Sequence, residues 1–163
     1  MTKNFSWIKE LKSFENNEFN IKNFIKILRK EKKQGFEIEI IGRKISQLKN
    51  HNLKKTKIAI LSNCAPQPIA NAIRVACFQE NLYAEIYESP IGAIHQELID
   101  INSYLHKFKP EIILLDINAS FFNIFEEVPM EDNLIKKKIN NDCKKVHEIW
   151  NLIASLKSKI IQT

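Results

Sequence analysis

Three short apolar segments, each ending at a turn, constrain the fold of this chain most strongly. They span residues 57–61, 83–88 and 111–116. A helical pattern follows the first after Pro68, and a second helical pattern covers residues 97–108. The order strand, helix, strand, helix, strand is typical of an open parallel sheet with flanking helices. We therefore predict an α/β fold of this kind.

The segments on either side of this core predict further elements. Apolar spacing over residues 5–33 indicates two amphipathic helices, broken near Asn16 and Asn17. Residues 37–41 alternate as a short strand does, and the stretch after Gly42 stays open between strand and helix. A long helix is predicted over 135–156 and the start of a fourth strand over 159–163. We divide the chain into a helical N-terminal segment, 1–50, and an α/β domain, 51–163, which we expect to be truncated at its C-terminal end.

Composition narrows the class of protein. The 163 residues are 44% apolar, but no apolar run is long enough to span a membrane and no signal peptide is evident, so we expect a cytoplasmic protein without membrane contacts. The net charge of +6 comes mostly from scattered lysines, which disfavours nucleic-acid binding and suits an acidic protein partner. Three cysteines without a CxxC pair argue against disulfides and zinc.

Candidate site residues follow the predicted strands. Parallel strands end at one edge of a sheet, and ligand sites collect there. Cys64 lies at a strand-to-helix turn, where free backbone N–H groups favour a reactive thiolate. The alternative is that Cys64 is simply a small packed side chain. The candidates at this edge are Ser62, Asn63, Cys64, Gly92, Asp116, Asn118 and Ser120.

His95 follows Gly92 closely enough to reach the same edge. It could serve as the base for Cys64, or it could be a solvated histidine at a helix N-terminus. We predict no metal site in this chain.

Several segments together resemble a known family. They are Ile60-Leu-Ser-Asn-Cys64, Pro68-Ile-Ala-Asn-Ala-Ile-Arg74, Ala84-Glu-Ile-Tyr-Glu-Ser-Pro-Ile-Gly92 and residues 96–115. From Lys57 to Thr163 the chain resembles the N-terminal domain of FkbH-like proteins. The resemblance implies a two-part enzyme of polyketide biosynthesis, with an SGNH-hydrolase-like front domain and a HAD-type phosphatase domain. Together they would take the glyceryl unit of 1,3-bisphosphoglycerate, remove phosphate and pass glyceryl as a thioester to the phosphopantetheine of an acyl carrier protein.

The resemblance also implies a three-layer, SGNH/flavodoxin-like fold and roles for individual residues. Cys64 would stand where the serine nucleophile stands, and Asn118 would match the asparagine of the oxyanion hole. Gly92 would lie near the loop that donates a backbone N–H. The DxxH acid/base block would lie beyond Thr163. The implied catalytic residues are Cys64 and Asn118, and the implied substrate-binding residues are Ser62, Asn63, Gly92 and His95.

The phosphatase chemistry has no matching motif in these residues. Asp116-Ile-Asn-Ala-Ser120 resembles a DxDx(T/V) loop superficially, but Asn118 replaces the second acid and an amide cannot act as a general acid. No cofactor is therefore expected in this chain, and Mg²⁺ is expected only in a missing HAD-type domain.

Three functions are compatible with the sequence. The first is the acyl-handling front domain of an FkbH-like glyceryl loader, part of an acyltransferase/phosphatase. The second is an inactive SGNH-like module that docks the carrier protein or the phosphatase domain. The third, an independent SGNH-type esterase, is disfavoured because no DxxH block occurs before Thr163.

Overall fold

The structure is a computed structural model that describes residues 6–13, 19–49, 51–122 and 131–163. Its described strands form one parallel sheet with β1 and β3 at the centre. In chain order they are β1 (Lys54–Ser62), β2 (Leu82–Glu88), β3 (Ile112–Asp116) and β4 (Lys159–Gln162), and the order across the sheet is β2-β1-β3-β4.

Helices flank and precede the strands. They are α1 (Ser6–Ser13), α2 (Ile21–Lys30), α3 (Gly35–Ser46), α4 (Gln67–Gln79), α5 (Ile94–Ile99), α6 (Tyr104–Phe108) and α7 (Asp132–Ser155). The predicted open parallel α/β fold with helices at its N-terminus is confirmed. The predicted break at Asn16 and Asn17 lies outside the described residues. No helix in the described ranges is both long and apolar enough to cross a bilayer.

The chain divides into two compact units. The first comprises Met1–Thr56 with Gln67–Glu85, and the second comprises Lys57–Pro66 with Ile86–Thr163. The first unit has its own apolar core, in which the Phe24 and Phe78 rings meet edge to face at 5.9 Å. Its buried apolar side chains are Trp7, Leu11, Phe24, Ile25, Leu28, Ile41, Ile45, Val75 and Phe78.

The strand predicted at residues 37–41 is wrong, because this segment belongs to helix α3. Ile41 and Ile45, four residues apart, are both buried in the first unit's core, as a helical period requires. Glu37 accepts the backbone N–H of Gln34 at 2.6 Å and so satisfies a free donor at the helix start. The isoleucines of this segment favour a strand by composition, but the cap at Glu37 and the burial of Ile41 and Ile45 stabilise a helix.

The second unit packs one face of the sheet against helices α5 and α7. Ala59 and Leu61 of β1 alternate onto this face, as the two-residue period of a strand demands. The buried cluster consists of Ala59, Leu61, Ile94, Leu98, Leu105, Ile113, Leu115, Ile117, Ile149 and Ile153. This core fixes the strand ends that carry the candidate site.

The single helix predicted over 97–108 is also wrong, since α5 ends at Ile99 and α6 begins at Tyr104. Ser103 caps α6 by accepting the His106 N–H, and its hydroxyl donates to the Glu97 carbonyl oxygen at 2.8 Å. The Glu97 carboxylate, nearly buried, accepts the Leu105 N–H at 3.1 Å. Side-chain capping therefore makes a corner where apolar spacing alone indicated a continuous helix.

Gly42 marks a close approach of α3 and α4. A Cβ at this position would lie 2.6 Å from the Cβ of Asn71 and 2.7 Å from its Cα. Asn71 is buried and accepts a hydrogen bond from Arg74, so it has no room to move aside. We predict that Gly42→Ala lowers the free energy of unfolding by about 1–3 kcal/mol, because it overpacks this crossing.

Gly35 provides the matched control. An added Cβ there meets no atom within 4 Å, and the residue begins α3. Gly35→Ala should leave stability unchanged or raise it by up to about 1 kcal/mol, because alanine favours helix. Urea denaturation of both variants checks the pair, and equal stability of the two would contradict the close approach.

Tyr87 gives the second unit a distinct response to high pH. Burial raises the pKa of Tyr87 well above its usual range, and its hydrogen bond to Glu97 raises the pKa further. The unfolded phenol ionises near pH 10, whereas the native one keeps its proton, so this stabilisation is complete below about pH 10 and is lost as pH rises above it. Tyr87→Phe should therefore lose less unfolding free energy between about pH 9 and 11 than wild type. Urea denaturation at several pH values measures this loss. An equal loss of unfolding free energy in the variant and in wild type would contradict the prediction.

Candidate functional site

Ser62 and Asp116 join the ends of the two central strands. They are paired in the β1–β3 register, and the Ser62 hydroxyl donates to Asp116 Oδ2 at 2.9 Å. Ser62 is completely buried, while Asp116 is partly exposed. The Asp116 carboxylate is therefore held at the carboxyl edge of the sheet, with one of its oxygens accepting a hydrogen bond from Ser62.

Cys64 lies directly against this pair. Its Sγ is 3.4 Å from Asp116 Oδ2 and 3.2 Å from Ser62 Oγ, and its backbone N–H donates to Ser62 Oγ at 3.1 Å. The side chain is half-buried. The thiol thus has a proton acceptor within reach, which is the arrangement that general-base activation of a nucleophile needs.

The second oxygen of Asp116 is also engaged. Thr163 Oγ1 donates to Asp116 Oδ1 at 3.1 Å, and the Thr163 backbone N–H donates to the Leu115 carbonyl at 3.2 Å. Sequence reasoning placed Asp116 at this edge but gave it no catalytic role, and it did not identify Thr163. The signal available for Asp116 was its position directly after the most apolar strand.

The loop after β1 and the loop after β3 are hydrogen-bonded to each other through Asn63 and Asn118. Asn63 Nδ2 donates to Asn118 Oδ1 at 2.7 Å, and the Asn118 backbone N–H returns a hydrogen bond to Asn63 Oδ1 at 2.9 Å. Ser120 adds its own N–H and hydroxyl as donors to Asn118 Oδ1, at 3.0 and 2.6 Å. The structure therefore brings together Ser62, Asn63, Cys64 and Asn118, four of the predicted site residues.

Hydrogen bonds fix the orientation of the Asn118 side-chain amide. Its oxygen accepts three hydrogen bonds, while its Nδ2 has no partner within the described ranges. An unengaged amide N–H₂ at this edge is a suitable donor to a developing oxyanion. The role of Asn118 in an oxyanion hole stays a prediction.

Gly92 has its backbone N–H engaged within the fold. It adopts φ +75°, the left-handed region that favours glycine, and its N–H donates to the Ser62 carbonyl at 3.2 Å. This bond ties the loop after β2 to the end of β1. A contribution of Gly92 to substrate binding stays a prediction.

His95 lies in the first turn of α5, where it lines a groove together with Glu148 and Leu152 of α7. The side-chain hydrogen bonds described for Cys64 go to Ser62 and Asp116 instead. The role of His95 as a base or substrate-binding residue stays a prediction. Among the described residues, no three His, Cys, Asp or Glu side chains converge as metal ligands.

Comparisons with known proteins give a family and a fold. The family described as FkbH, N-terminal domain, matches residues 57–163. Among solved structures, the chain is similar to the crystal structure of the N-terminal part of the protein BF1531 from Bacteroides fragilis, containing a phosphatase domain complexed with Mg. That similarity has a TM-score of 0.61 at 17% sequence identity and covers 80% of this chain but 33% of the other. This chain thus corresponds to one third of that structure. None of the curated proteins matches it.

The loop-to-loop bonds of Asn63 generate a local prediction. Asn63→Ala removes the acceptor of the Asn118 N–H and a donor to the Asn118 side chain, which costs about 1–2 kcal/mol of local stability. Amide hydrogen exchange at Asn118 should become about tenfold faster. Asn133→Ala, on the exposed first turn of α7, is the control that should leave this exchange unchanged. Unaltered exchange in Asn63→Ala would show that the two loops are held by other contacts.

Proposed function

Because this chain belongs to the FkbH N-terminal domain family, we propose that it is the acyl-handling front domain of a glyceryl loader. It accepts the glyceryl unit of 1,3-bisphosphoglycerate on Cys64 and passes it to the phosphopantetheine thiol of an acyl carrier protein in polyketide biosynthesis. The observation that carries this proposal is the contact between the Cys64 thiol and the Asp116 carboxylate at 3.4 Å.

The first step is acyl transfer from phosphate to sulfur. As the Cys64 sulfur attacks the acyl carbon, its proton passes to Asp116 Oδ2, which already accepts from the thiol. Asp116 therefore acts as the general base in this step. The Asn118 N–H₂ donates to the oxyanion of the tetrahedral intermediate. The bond to the phosphate oxygen then breaks and the C1 phosphate leaves with the proton that Asp116 had taken, so Asp116 is again a free carboxylate. A 3-phosphoglyceryl thioester remains, and the partner phosphatase domain hydrolyses its phosphate ester to leave glyceryl on Cys64.

The second step exchanges one thioester for another. The pantetheine thiol attacks the glyceryl carbon and gives its proton to Asp116, and the Cys64 sulfur leaves and takes up that proton. Because the bond broken and the bond formed are of the same kind, the exchange is close to thermoneutral, which suits cysteine better than serine. Ser62 and Thr163 hold the Asp116 carboxylate from both of its oxygens throughout.

We assign the dephosphorylation step to a separate HAD-type phosphatase domain, which is the partner of this chain. We place both in the cytoplasm. Asn118 stands where the second acid of a phosphatase loop would be needed. The side chains at this edge therefore do not fit a phosphatase Mg²⁺ site, and we assign that ion to the partner domain only.

A second candidate function is an inactive docking module for the carrier protein or the phosphatase domain. One observation favours it. The Gly92 N–H donates to Ser62 and is therefore not available for an oxyanion, which leaves the Asn118 amide as the donor identified among the described residues.

Intact-protein mass spectrometry distinguishes the two candidates. We predict that the full chain, supplied with its phosphatase partner and 1,3-bisphosphoglycerate, gains a glyceryl-sized adduct that hydroxylamine removes. Cys64→Ser should abolish this thioester adduct, and Asp116→Asn should slow its formation by about 10²–10⁴-fold, the usual contribution of a general base.

Cys143→Ser is the matched control, since Cys143 is an exposed thiol. It lies outside the strand-end cluster, by which we mean Ser62, Asn63, Cys64, Asp116, Asn118 and Thr163. This variant should keep the adduct at the wild-type rate. An adduct that survives in Cys64→Ser would remove Cys64 from the mechanism. No adduct on wild type would leave the chain as a docking module.

A further inference from the structure

Strand β4 forms one side of the sheet and is exposed along its whole length. All of its residues are exposed, whereas no residue of β2, the strand on the other side of the sheet, is. Ile160 and Ile161 point to opposite faces, because successive side chains of a strand alternate, and they are 37% and 52% exposed. Both faces of β4 therefore present apolar side chains to solvent, which is typical of a strand that pairs with another molecule.

The backbone of β4 also has hydrogen-bonding groups directed away from the sheet. The N–H groups of Lys159 and Thr163 donate toward β3, to carbonyl oxygens 3.0 and 3.2 Å away. Since this direction alternates from residue to residue, Ile160 and Gln162 direct their N–H and C=O groups outward. β4 is thus a template for one more strand.

A second copy of this chain fits the template by symmetry. In an antiparallel pair of β4 strands related by a two-fold axis at Ile161, Ile160 of each copy stands opposite Gln162 of the other, so the outward groups of both copies meet. The two Ile161 side chains face each other across the axis. Lysine on an edge strand often discourages pairing, but Lys159 stands opposite the neutral Thr163 in this register. The strand is therefore self-complementary in hydrogen bonds, apolar contact and charge.

The apolar surface continues from β4 onto α7. Trp150 is 39% exposed, and its indole N–H donates to Gln162 Oε1 at 2.7 Å. A two-fold axis perpendicular to the sheet places the α7 helices of both copies on the same face of the joined sheet. Charged residues of both signs, Lys144, Lys145 and Glu148, lie near Trp150 along the helix, so this surface does not carry a single sign of charge.

The same register brings Lys159 of the second copy next to the strand-end cluster. Lys159, Ile161 and Thr163 share one face of β4, and by the β3–β4 register this is the face on which the Asp116 side chain lies. Directly opposite residues of an antiparallel pair have Cβ atoms about 4.5–5.5 Å apart. Thr163 in turn donates to Asp116 at 3.1 Å. The four-carbon stem of the second copy's Lys159 is therefore long enough to bring its ammonium group past Thr163 to Asp116.

The loops at the carboxyl edge of the sheet carry no such cation themselves. Residues 62–67, 88–93 and 116–122, which follow β1, β2 and β3, contain no Lys or Arg. An acyl phosphate bound there would meet the Asp116 carboxylate, and the two negative charges repel each other. A lysine ammonium group offsets this repulsion and offers three hydrogen-bond donors to phosphate oxygens.

We propose that two copies of this chain pair antiparallel along β4, and that Lys159 of each copy binds the phosphate of the acyl donor at the strand-end cluster of the other copy. The pairing follows from the exposed strand alone. The phosphate role rests on the proposed function and deepens it, because the site is then complete only in the dimer.

Sedimentation equilibrium of the full chain tests the pairing. Wild type should be a dimer. Ile161→Lys sets two ammonium groups against each other on the axis and should raise the dimer Kd at least about tenfold. Ile160→Pro removes an outward N–H but no hydrogen bond to β3, and it should have a similar effect. The control Ile99→Lys changes a side chain of α5 that is 67% exposed and should leave the dimer Kd within about twofold of wild type.

Three results would overturn the pairing. They are a monomeric wild type, a dimer that neither β4 variant weakens, and a monomeric chain that loses its binding to the phosphatase domain in Ile161→Lys. The last result would assign β4 to that domain.

Subunit mixing tests the position of Lys159. Lys159→Gln should slow glyceryl loading at least about tenfold, whereas Lys107→Gln, an exposed lysine of α6, should not. Mixing Lys159→Gln with Cys64→Ser should restore fast loading of the Lys159→Gln chain, because a mixed dimer has one site with both native residues. Lack of restoration would show that Lys159 does not act across the dimer.

Inorganic phosphate separates this inference from the proposed function. In Cys64→Ser, which lacks the thiol, adding Lys159→Gln should raise the Kd for phosphate about tenfold, as followed by ³¹P NMR. Equal Kd values would overturn the role of Lys159. If wild type is not loaded but this difference and the dimer are found, the proposed function fails and the shared phosphate site stands. Loading by a chain that stays monomeric keeps the chemistry and overturns the shared site.

Discussion

The Asp116 carboxylate organises the strand-end cluster of the second unit. Its two oxygens accept from Ser62 and Thr163, so the ends of β1 and β3 and the residue after β4 are held at one point. The Cys64 thiol contacts the same carboxylate. Because these donors come from the ends of β1 and β4 and the carboxylate from the end of β3, the position of the thiol depends on the register of these three strands. Fold and site are thus linked through a single side chain.

The sequence was sufficient for the architecture and for much of the cluster. Strands with strong β-branched and apolar runs, such as residues 57–61 and 111–116, have few alternatives once they are buried. Ser62, Asn63, Cys64 and Asn118 could be predicted as neighbours because parallel strands end at a common edge. The long helix α7 was also predicted within a few residues of its bounds.

The predictions for residues 37–41 and 97–108 are wrong because side-chain hydrogen bonds determine the backbone conformation there. The isoleucine-rich segment of α3 has strand-like composition, yet Glu37 caps it and its buried Ile41 and Ile45 follow a helical period. At the α5–α6 corner, Glu97 and Ser103 cap a new helix within an unbroken apolar pattern. The proton-accepting position of Asp116 was missed for a similar reason, since it depends on a contact between residues 52 apart in the chain.

The side-chain oxygen of Asn118 already accepts three hydrogen bonds, which limits the chemical groups that this side chain can bind. Turning this amide over would break three hydrogen bonds at once and would bring its N–H₂ against the donors Asn63 and Ser120. The amide is therefore locked with only donor hydrogens to offer. The hydrogens of this side-chain amide can bind carbonyl, phosphoryl or carboxylate oxygens, whereas the amide offers no free oxygen to an ammonium group.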